Sequence, residues 1–249
     1  MTLLVDADIV AYRCAASAEN DPLDVALVRV DVMMRDLLDK DDSYLCFLSG
    51  PKETNFRYTI NPDYKANRIG VPKPKWLAAC KDFLINEYHA TITHGCEADD
   101  FLGIHQTADT VICSIDKDLL MIPGAHFNFV TQKFSEVSEL DGLKQFYRQM
   151  LIGDTSDNIF GIKGIGKVKA GKLIDPIETE EELFSIVWQL YAQTAFSEGE
   201  RFWMNADCLW IWRKHGETYS KIKGVDREPN KELYNQHPQS GVETLASEV

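Results

Sequence analysis

The chain has 249 residues, of which 45% are hydrophobic and 26% charged, and its formal net charge is −13. That length buries a full core as one large domain or two small ones, and the composition reads as a soluble globular protein. No apolar run approaches the roughly 18 residues of a membrane helix, and the acidity argues against a uniformly basic nucleic-acid binder.

Thr2 to Val5 reads as a buried strand ending at Asp6. Met1 to Val10 has no basic flank, so no signal peptide is expected. Asp8 to Ala18 is predicted helical. Leu23 to Leu38 has apolar residues at helical spacing, among them Val25, Val28, Val32 and Leu37, and is a second helix. Ser43 to Leu48 is a strand. Pro51 to Pro74, rich in proline, is expected to be a long loop or a partly ordered arch. Lys75 to Tyr88 follows as a helix, Thr91 to Thr93 as a short strand, Glu97 to Thr107 as a helix, and Thr110 to Ile115 as a strand ending at Asp116. Alternating strands and helices imply α/β architecture with a mostly parallel sheet flanked by helices.

From Glu139 the pattern turns helical, with helices expected at Asp141 to Ile152, Gly166 to Ile174, Glu180 to Thr194 and Glu198 to Lys214. The domains expected are thus 1–138, with the arch at about 51–76, and 139–225. Residues 226–249 are polar and read as a weakly ordered tail. The six cysteines, Cys14, Cys46, Cys80, Cys96, Cys113 and Cys208, form no C-x-x-C pair, which fits reduced thiols in a cytoplasmic protein.

Charge is unevenly distributed. Residues 50–81 carry Lys52, Arg57, Lys65, Arg68, Lys73, Lys75 and Lys81 against Glu53 and Asp63. Residues 161–172 carry Lys163, Lys167, Lys169 and Lys172 and no acid. Such a chain grips phosphate locally and repels it elsewhere.

The acids fall in tight groups: Asp6, then Glu97/Asp99/Asp100, then Asp116/Asp118, then Asp154/Asp157. The first three groups lie at or just after predicted strand ends, where ligands of parallel sheets sit. Any one pair reads as surface decoration. Four groups on one sheet edge repel one another unless cations hold them. With no histidine or cysteine among them, Mg²⁺ or Mn²⁺ is favoured over zinc, and their number suggests two ions, the usual clamp for phosphodiester hydrolysis. After Asp157, Gly161-Ile162-Lys163-Gly164-Ile165-Gly166-Lys167 is a glycine hairpin feeding a lysine-rich helix. Glycine amides and a helix N-terminus bind phosphate, although the lysines also fit a merely solvated face.

Asn61-Pro62-Asp63-Tyr64-Lys65-Ala66-Asn67-Arg68, Glu97-Ala98-Asp99-Asp100, Ser114-Ile115-Asp116-Lys117-Asp118 and Gly153-Asp154-Thr155-Ser156-Asp157-Asn158 with its hairpin occur in the order of one family. From about Leu3 to Gly171 the chain resembles the 5′→3′ exonuclease and flap endonuclease family, most of all its phage-encoded members, and is similar to the nuclease domain of bacterial DNA polymerase I. The resemblance implies a PIN-like α/β domain with a helical helix-hairpin-helix subdomain. It implies metal-dependent cleavage of duplex DNA with 5′ ends, flaps or RNA primers, in phage replication or DNA degradation. It makes Asp6, Glu97, Asp99, Asp100, Asp116, Asp118, Asp154 and Asp157 metal ligands. Arg13 is placed near the scissile phosphate, and Lys65 and Arg68 on the arch, stabilising the transition state. Tyr64 stacks on a base or, in the plainer reading, fills a loop. Duplex DNA is held by Lys163, Gly164, Gly166, Lys167, Lys169 and Lys172, with K⁺ at the hairpin in some relatives. A monomer without membrane or organic cofactor is implied, and Asp8 has no assigned role.

Two other readings compete. Val5-Asp6-Ala7-Asp8-Ile9-Val10 also fits the opening of haloacid-dehalogenase-like phosphatases, with Asp6 as nucleophile and Asp8 as acid/base. A non-catalytic binder of branched DNA is the third class. Trp203, Trp210 and Trp212 are read as packing, and His94 and His105 carry no assigned chemistry.

Overall fold

The computed structural model describes residues 1–38, 43–193 and 198–225; the tail expected at 226–249 lies outside them. Strand β1 (Thr2–Asp6) runs into α1 (Ala7–Ser17) and α2 (Leu23–Leu37), and β2 (Ser43–Leu48) follows. After α3 (Arg57–Ile60) and α4 (Leu77–Tyr88) come β3 (Thr91–Ile92), α5 (Ala98–His105) and β4 (Thr110–Cys113). A hairpin of β5 (Gly124–Asn128) and β6 (Lys133–Val137) completes one six-stranded sheet in the order β3-β2-β1-β4-β5-β6. Every pairing is parallel except that of β5 with β6.

Period-two alternation along these strands builds a core on each face. Val5, Cys46, Val111 and Cys113 face α1, α2 and α4, through Val10, Cys14, Val30, Met34, Cys80 and Leu84. Leu4, Phe47 and Ile112 face the other way, where Leu102 of α5 and the helical half of the chain cover them. That half comprises α6 (Glu139–Ile152), the two-residue strands β7 (Gly153–Asp154) and β8 (Ile159–Phe160), α7 (Lys167–Ile174), α8 (Glu180–Ala192), α9 (Glu198–Leu209) and α10 (Tyr219–Ile222). Its interior is aromatic: Trp188 meets Phe202 edge-on at 5.0 Å, and Phe146 meets Trp210 at 5.1 Å. Trp210 and Trp212 are buried, so both are packing residues.

Three features depart from the sequence reading. The β5–β6 hairpin was not expected; its polar edge strand β6 is exposed except at Val137, so no apolar run marks it. Helix α9 ends at Leu209 rather than running to Lys214, because residues 210–212 leave the helix and Trp212 N–H is drawn to Asp100 at 3.0 Å. Residues 51–68 do not stand off as an arch. They fold in short helical turns against the body, where Phe56 N–H bonds Gly95 O at 2.9 Å and Lys65 N–H bonds Asp157 O at 2.9 Å. The six cysteines are free and buried. Among the described residues no helix is long and apolar enough to cross a membrane.

Candidate active site

The carboxyl ends of β1 and β4 and the start of α5 converge on one edge, as a parallel sheet requires. Asp6, the last residue of β1, caps α1 through Ile9 N–H at 3.1 Å and accepts from Ser114 Oγ at 2.7 Å. Beyond β4, the Asp116 N–H donates to Ser114 Oγ at 3.0 Å and the Asp118 N–H donates to Asp116 Oδ1 at 2.9 Å. Asp154 on β7 accepts from both the N–H and the hydroxyl of Ser156 at 2.7 Å. A small cleft is lined by Glu97, Asp99, Asp118, Asp154 and Asp157 together with Arg57, Tyr64 and Cys208.

These acids fall into two sets that differ in whether a cation stands beside them; Asp157 is raised by burial and by Glu97 even with Lys65 and Arg68 close by. In the first, burial leads and neighbouring carboxylates add to it. Asp6 is pushed up to about 7 by burial, against the Ser114 hydrogen bond and with Asp8 and Asp116. Asp118 is pushed up to about 8 by burial and then by Asp116 and Asp154. Asp99 is raised well above the carboxylate range by burial and by Asp6, Asp116 and Glu97. Asp154 falls below its ordinary value, because hydrogen bonds with Ser156 and Asp118 outweigh its burial.

In the second set, cations are already in place. Lys65 Nζ lies 2.5 Å from Glu97 Oε1 and 3.7 Å from Asp157 Oδ1. Arg68 Nη2 donates to Asp157 Oδ1 at 2.8 Å. Glu97 is lowered, burial being outweighed by Lys65 and Arg57. Residues 63–68 are laced to 155–158 by Asn67 Nδ2 on Thr155 O at 2.6 Å, Arg68 Nε on Ser156 O at 2.9 Å and Asn158 Nδ2 on Asp63 O at 2.8 Å.

Three site expectations are corrected. Tyr64 is 1% exposed and its hydroxyl lies 2.7 Å from Asp157 Oδ2 and 3.0 Å from Glu97 Oε2, sharing its one proton between them, so its ring cannot stack on a base. Asp100 is fully buried and spent as a ligand. Its Oδ2 takes Arg57 Nη1 at 2.6 Å and Glu97 N–H at 2.9 Å, and its Oδ1 takes Arg57 Nη2 at 2.8 Å and Trp212 N–H at 3.0 Å. Arg13, expected near the scissile phosphate, does not line this cleft. It is exposed on α1 and lines a separate cavity of about 430 Å³ with Arg29, Val32, Met33 and Phe129. Of the hairpin residues, Lys163, Lys167, Lys169 and Lys172 are all exposed, and Gly166 precedes α7.

The sequence reading missed Arg57, which also donates to Cys208 O at 2.8 Å and Trp210 O at 3.0 Å. Its signal was an arginine wedged between Phe56 and Tyr58. Asn55 was missed too; its amide reaches Glu97 Oε1 at 3.0 Å. Asp8 now has a place: it accepts from Lys81 Nζ at 2.5 Å and Ser49 N–H at 2.7 Å.

A hard divalent cation fits the first set. All donors are oxygens, and Asp118 Oδ1 is buried with no hydrogen-bond partner. Among the described residues no three acidic, histidine or cysteine side chains already converge as a metal-holding group. One consequence is measurable. In EDTA, raised carboxyls bind protons more tightly folded than unfolded. Their stabilisation is complete below about pH 4 and is lost as pH rises through about 7 for Asp6 and 8 for Asp118. The melting temperature in EDTA should fall over that window, and Mg²⁺ should restore more at pH 8 than at pH 6 because binding expels protons.

No family model matches the chain. Flap endonuclease Xni of Shewanella oneidensis is 28% identical over 215 residues, covering 78% of this chain and 81% of that one. DNA polymerase I of Caldicellulosiruptor bescii is 25% identical over 217 residues, which are 73% of this chain. The chain spans a quarter of that polymerase and 65% of the Xni protein of Shewanella baltica. Among solved structures, the T5 D15 protein co-crystallised with metal ions superposes with a TM-score of 0.57 at 17% identity, covering 82% of this chain and 86% of that one. The zinc-bound T5 5′-exonuclease gives 0.55 at 17% identity, with 85% and 99% coverage. The fold is thus that of these T5 nucleases, and in sequence the chain is similar to the Xni flap endonucleases and to bacterial DNA polymerase I.

Proposed function

We propose that this protein is a metal-dependent nuclease that hydrolyses phosphodiester bonds at 5′ ends and flaps of duplex DNA, or at RNA-primer ends, in phage replication or DNA degradation. The observation that carries this reading is the cleft where Glu97, Asp99, Asp118, Asp154 and Asp157 meet, with Asp118 Oδ1 buried and unpartnered and a segment bearing Lys65 and Arg68 beside it. Asp6, Asp99, Asp116, Asp118 and Asp154 would hold Mg²⁺ or Mn²⁺, with Glu97 and Asp157 beside them and two ions in all. An ion held by these residues would polarise the phosphate and lower the pKa of a bound water toward neutrality. Lys65 and Arg68 pair with the charge that develops on the phosphate, an electrostatic role that appears in turnover. Tyr64, its hydroxyl proton shared between them, fixes the spacing of Glu97 and Asp157.

Lys163, Lys167, Lys169 and Lys172, with the amides of Gly164 and Gly166, grip the duplex without reading its sequence, and K⁺ at the hairpin belongs to the same reading. The protein works in the cytoplasm as a monomer without organic cofactor; its free, buried cysteines fit the reducing compartment. The test is to incubate it with flap, nicked and blunt duplexes labelled at the 5′ or the 3′ end, with Mg²⁺, and to size the products. Short 5′-labelled products that depend on Mg²⁺ are expected. Release from 3′ ends, or no cleavage of any of these DNAs, overturns the reading.

A further inference from the structure

A large aromatic side chain left in water forgoes the favourable transfer into an apolar environment. Phe160 is 69% exposed and belongs to neither hydrophobic core. Phe134 is as exposed, at 71%, but lies against Phe127 with ring centroids 4.5 Å apart. The Phe160 backbone is firmly held. It pairs with Gly153, and its carbonyl accepts from Asn205 Nδ2 at 2.9 Å. The next carbonyl, of Gly161, accepts from Arg201 Nη2 at 2.8 Å. Ile159 points inward at 2% exposure, so strand alternation aims Phe160 outward.

Its place is specific. Phe160 stands three residues after Asp157 of the cleft and three before Lys163 of the hairpin. Val168, 76% exposed, adds a second apolar surface in the first turn of α7, between Lys167 and Lys169. Aromatic and basic side chains interleaved in this way form a surface for a nucleic-acid strand. A phenyl ring has neither charge nor donor for phosphate. A continuous duplex hides its base faces in the stack. Only an unpaired or terminal base offers a face to the ring.

We propose that Phe160 is a stacking platform for an unpaired or chain-terminal nucleobase, and that it lets the protein favour flaps and ends over uninterrupted duplex. This rests on the nuclease reading above. The test is binding in EDTA, where cleavage is absent, to two DNAs. One is a duplex with a 5′ flap carrying 2-aminopurine at its base. The other is a dumbbell of equal length closed at both ends by non-nucleotide linkers, so that it has no unpaired base. Phe160→Ala should weaken flap binding about tenfold and abolish quenching of the 2-aminopurine. Dumbbell binding should stay within about twofold, and Phe160→Trp should keep both flap affinity and quenching. Because the residue is exposed, the melting temperature of both variants should match the parent.

Equal losses on both DNAs, or no loss on either, overturn the proposal. So does flap binding that weakens in the alanine variant without any change in quenching. Parent protein that binds neither DNA, in EDTA or with Ca²⁺ in place of Mg²⁺, overturns the nuclease reading and this one together. Parent binding that Phe160→Ala leaves intact overturns the role of Phe160 alone.

Discussion

Asp118→Ala is expected to lower Mg²⁺-dependent cleavage by about a thousandfold or more while the metal-free protein becomes no less stable. A metal ion contributes several kcal/mol of charge stabilisation to phosphoryl chemistry, and each 1.36 kcal/mol is tenfold in rate. Asp118 offers a buried oxygen without a partner, and its carboxyl is pushed up to about 8 by burial, Asp116 and Asp154. Burying an unsatisfied polar group costs about 1–3 kcal/mol, so its removal in EDTA should leave the melting temperature unchanged or raise it. DNA affinity in EDTA should hold or increase, since losing an acid cannot weaken attraction to phosphate. Cleavage assays and thermal melts on one preparation check both halves. Full activity in Mg²⁺ would remove Asp118 from the metal set.

Asp100→Ala and Arg57→Ala should behave in the opposite way, each destabilising the fold by about 3–5 kcal/mol, because each strands an unpaired buried charge. The pair joins three stretches of chain: the segment at 55–57, the start of α5, and residues 208–212. The loss should be the same in EDTA and in Mg²⁺ when measured by urea denaturation. A ligand would behave otherwise, keeping its stability in EDTA and forfeiting the increment that Mg²⁺ adds. That second pattern for Asp100→Ala would return Asp100 to the metal site.

Asp100 also shows where sequence reasoning reached and where it stopped. Asp6 and Asp116 were placed by the alternation of strands and helices, because strand ends in a parallel sheet collect on one edge. That logic treats Asp99 and Asp100 alike. A helix turns about 100° per residue, so neighbours in its first turn cannot both face one cleft. Asp99 faces the other acids, and Asp100 turns inward to Arg57. Arg57 was illegible for a related reason. It sits in a basic stretch that reads as solvated, and its partners are 43 and 151 residues away. Tyr64 and Lys65 were found by the family wording, but nothing local indicates that Tyr64 faces carboxylates rather than solvent. The end of α9 at Leu209 is likewise tertiary, since no glycine or proline interrupts the sequence before Gly216.

The short ladder of β7 and β8 has a metric consequence. Gly153 and Gly161 meet backbone to backbone, and a Cβ on either would collide with the main chain of the other; Gly153 also holds φ at +79°. Asp154 leaves this crossing on one side and the lysine hairpin leaves it on the other. Whatever the hairpin holds is therefore indexed to the acids by a fixed span, as a stop on a lathe sets the length of every piece cut. A side chain at either glycine would push these backbones apart and so shift the span between the acids and the hairpin.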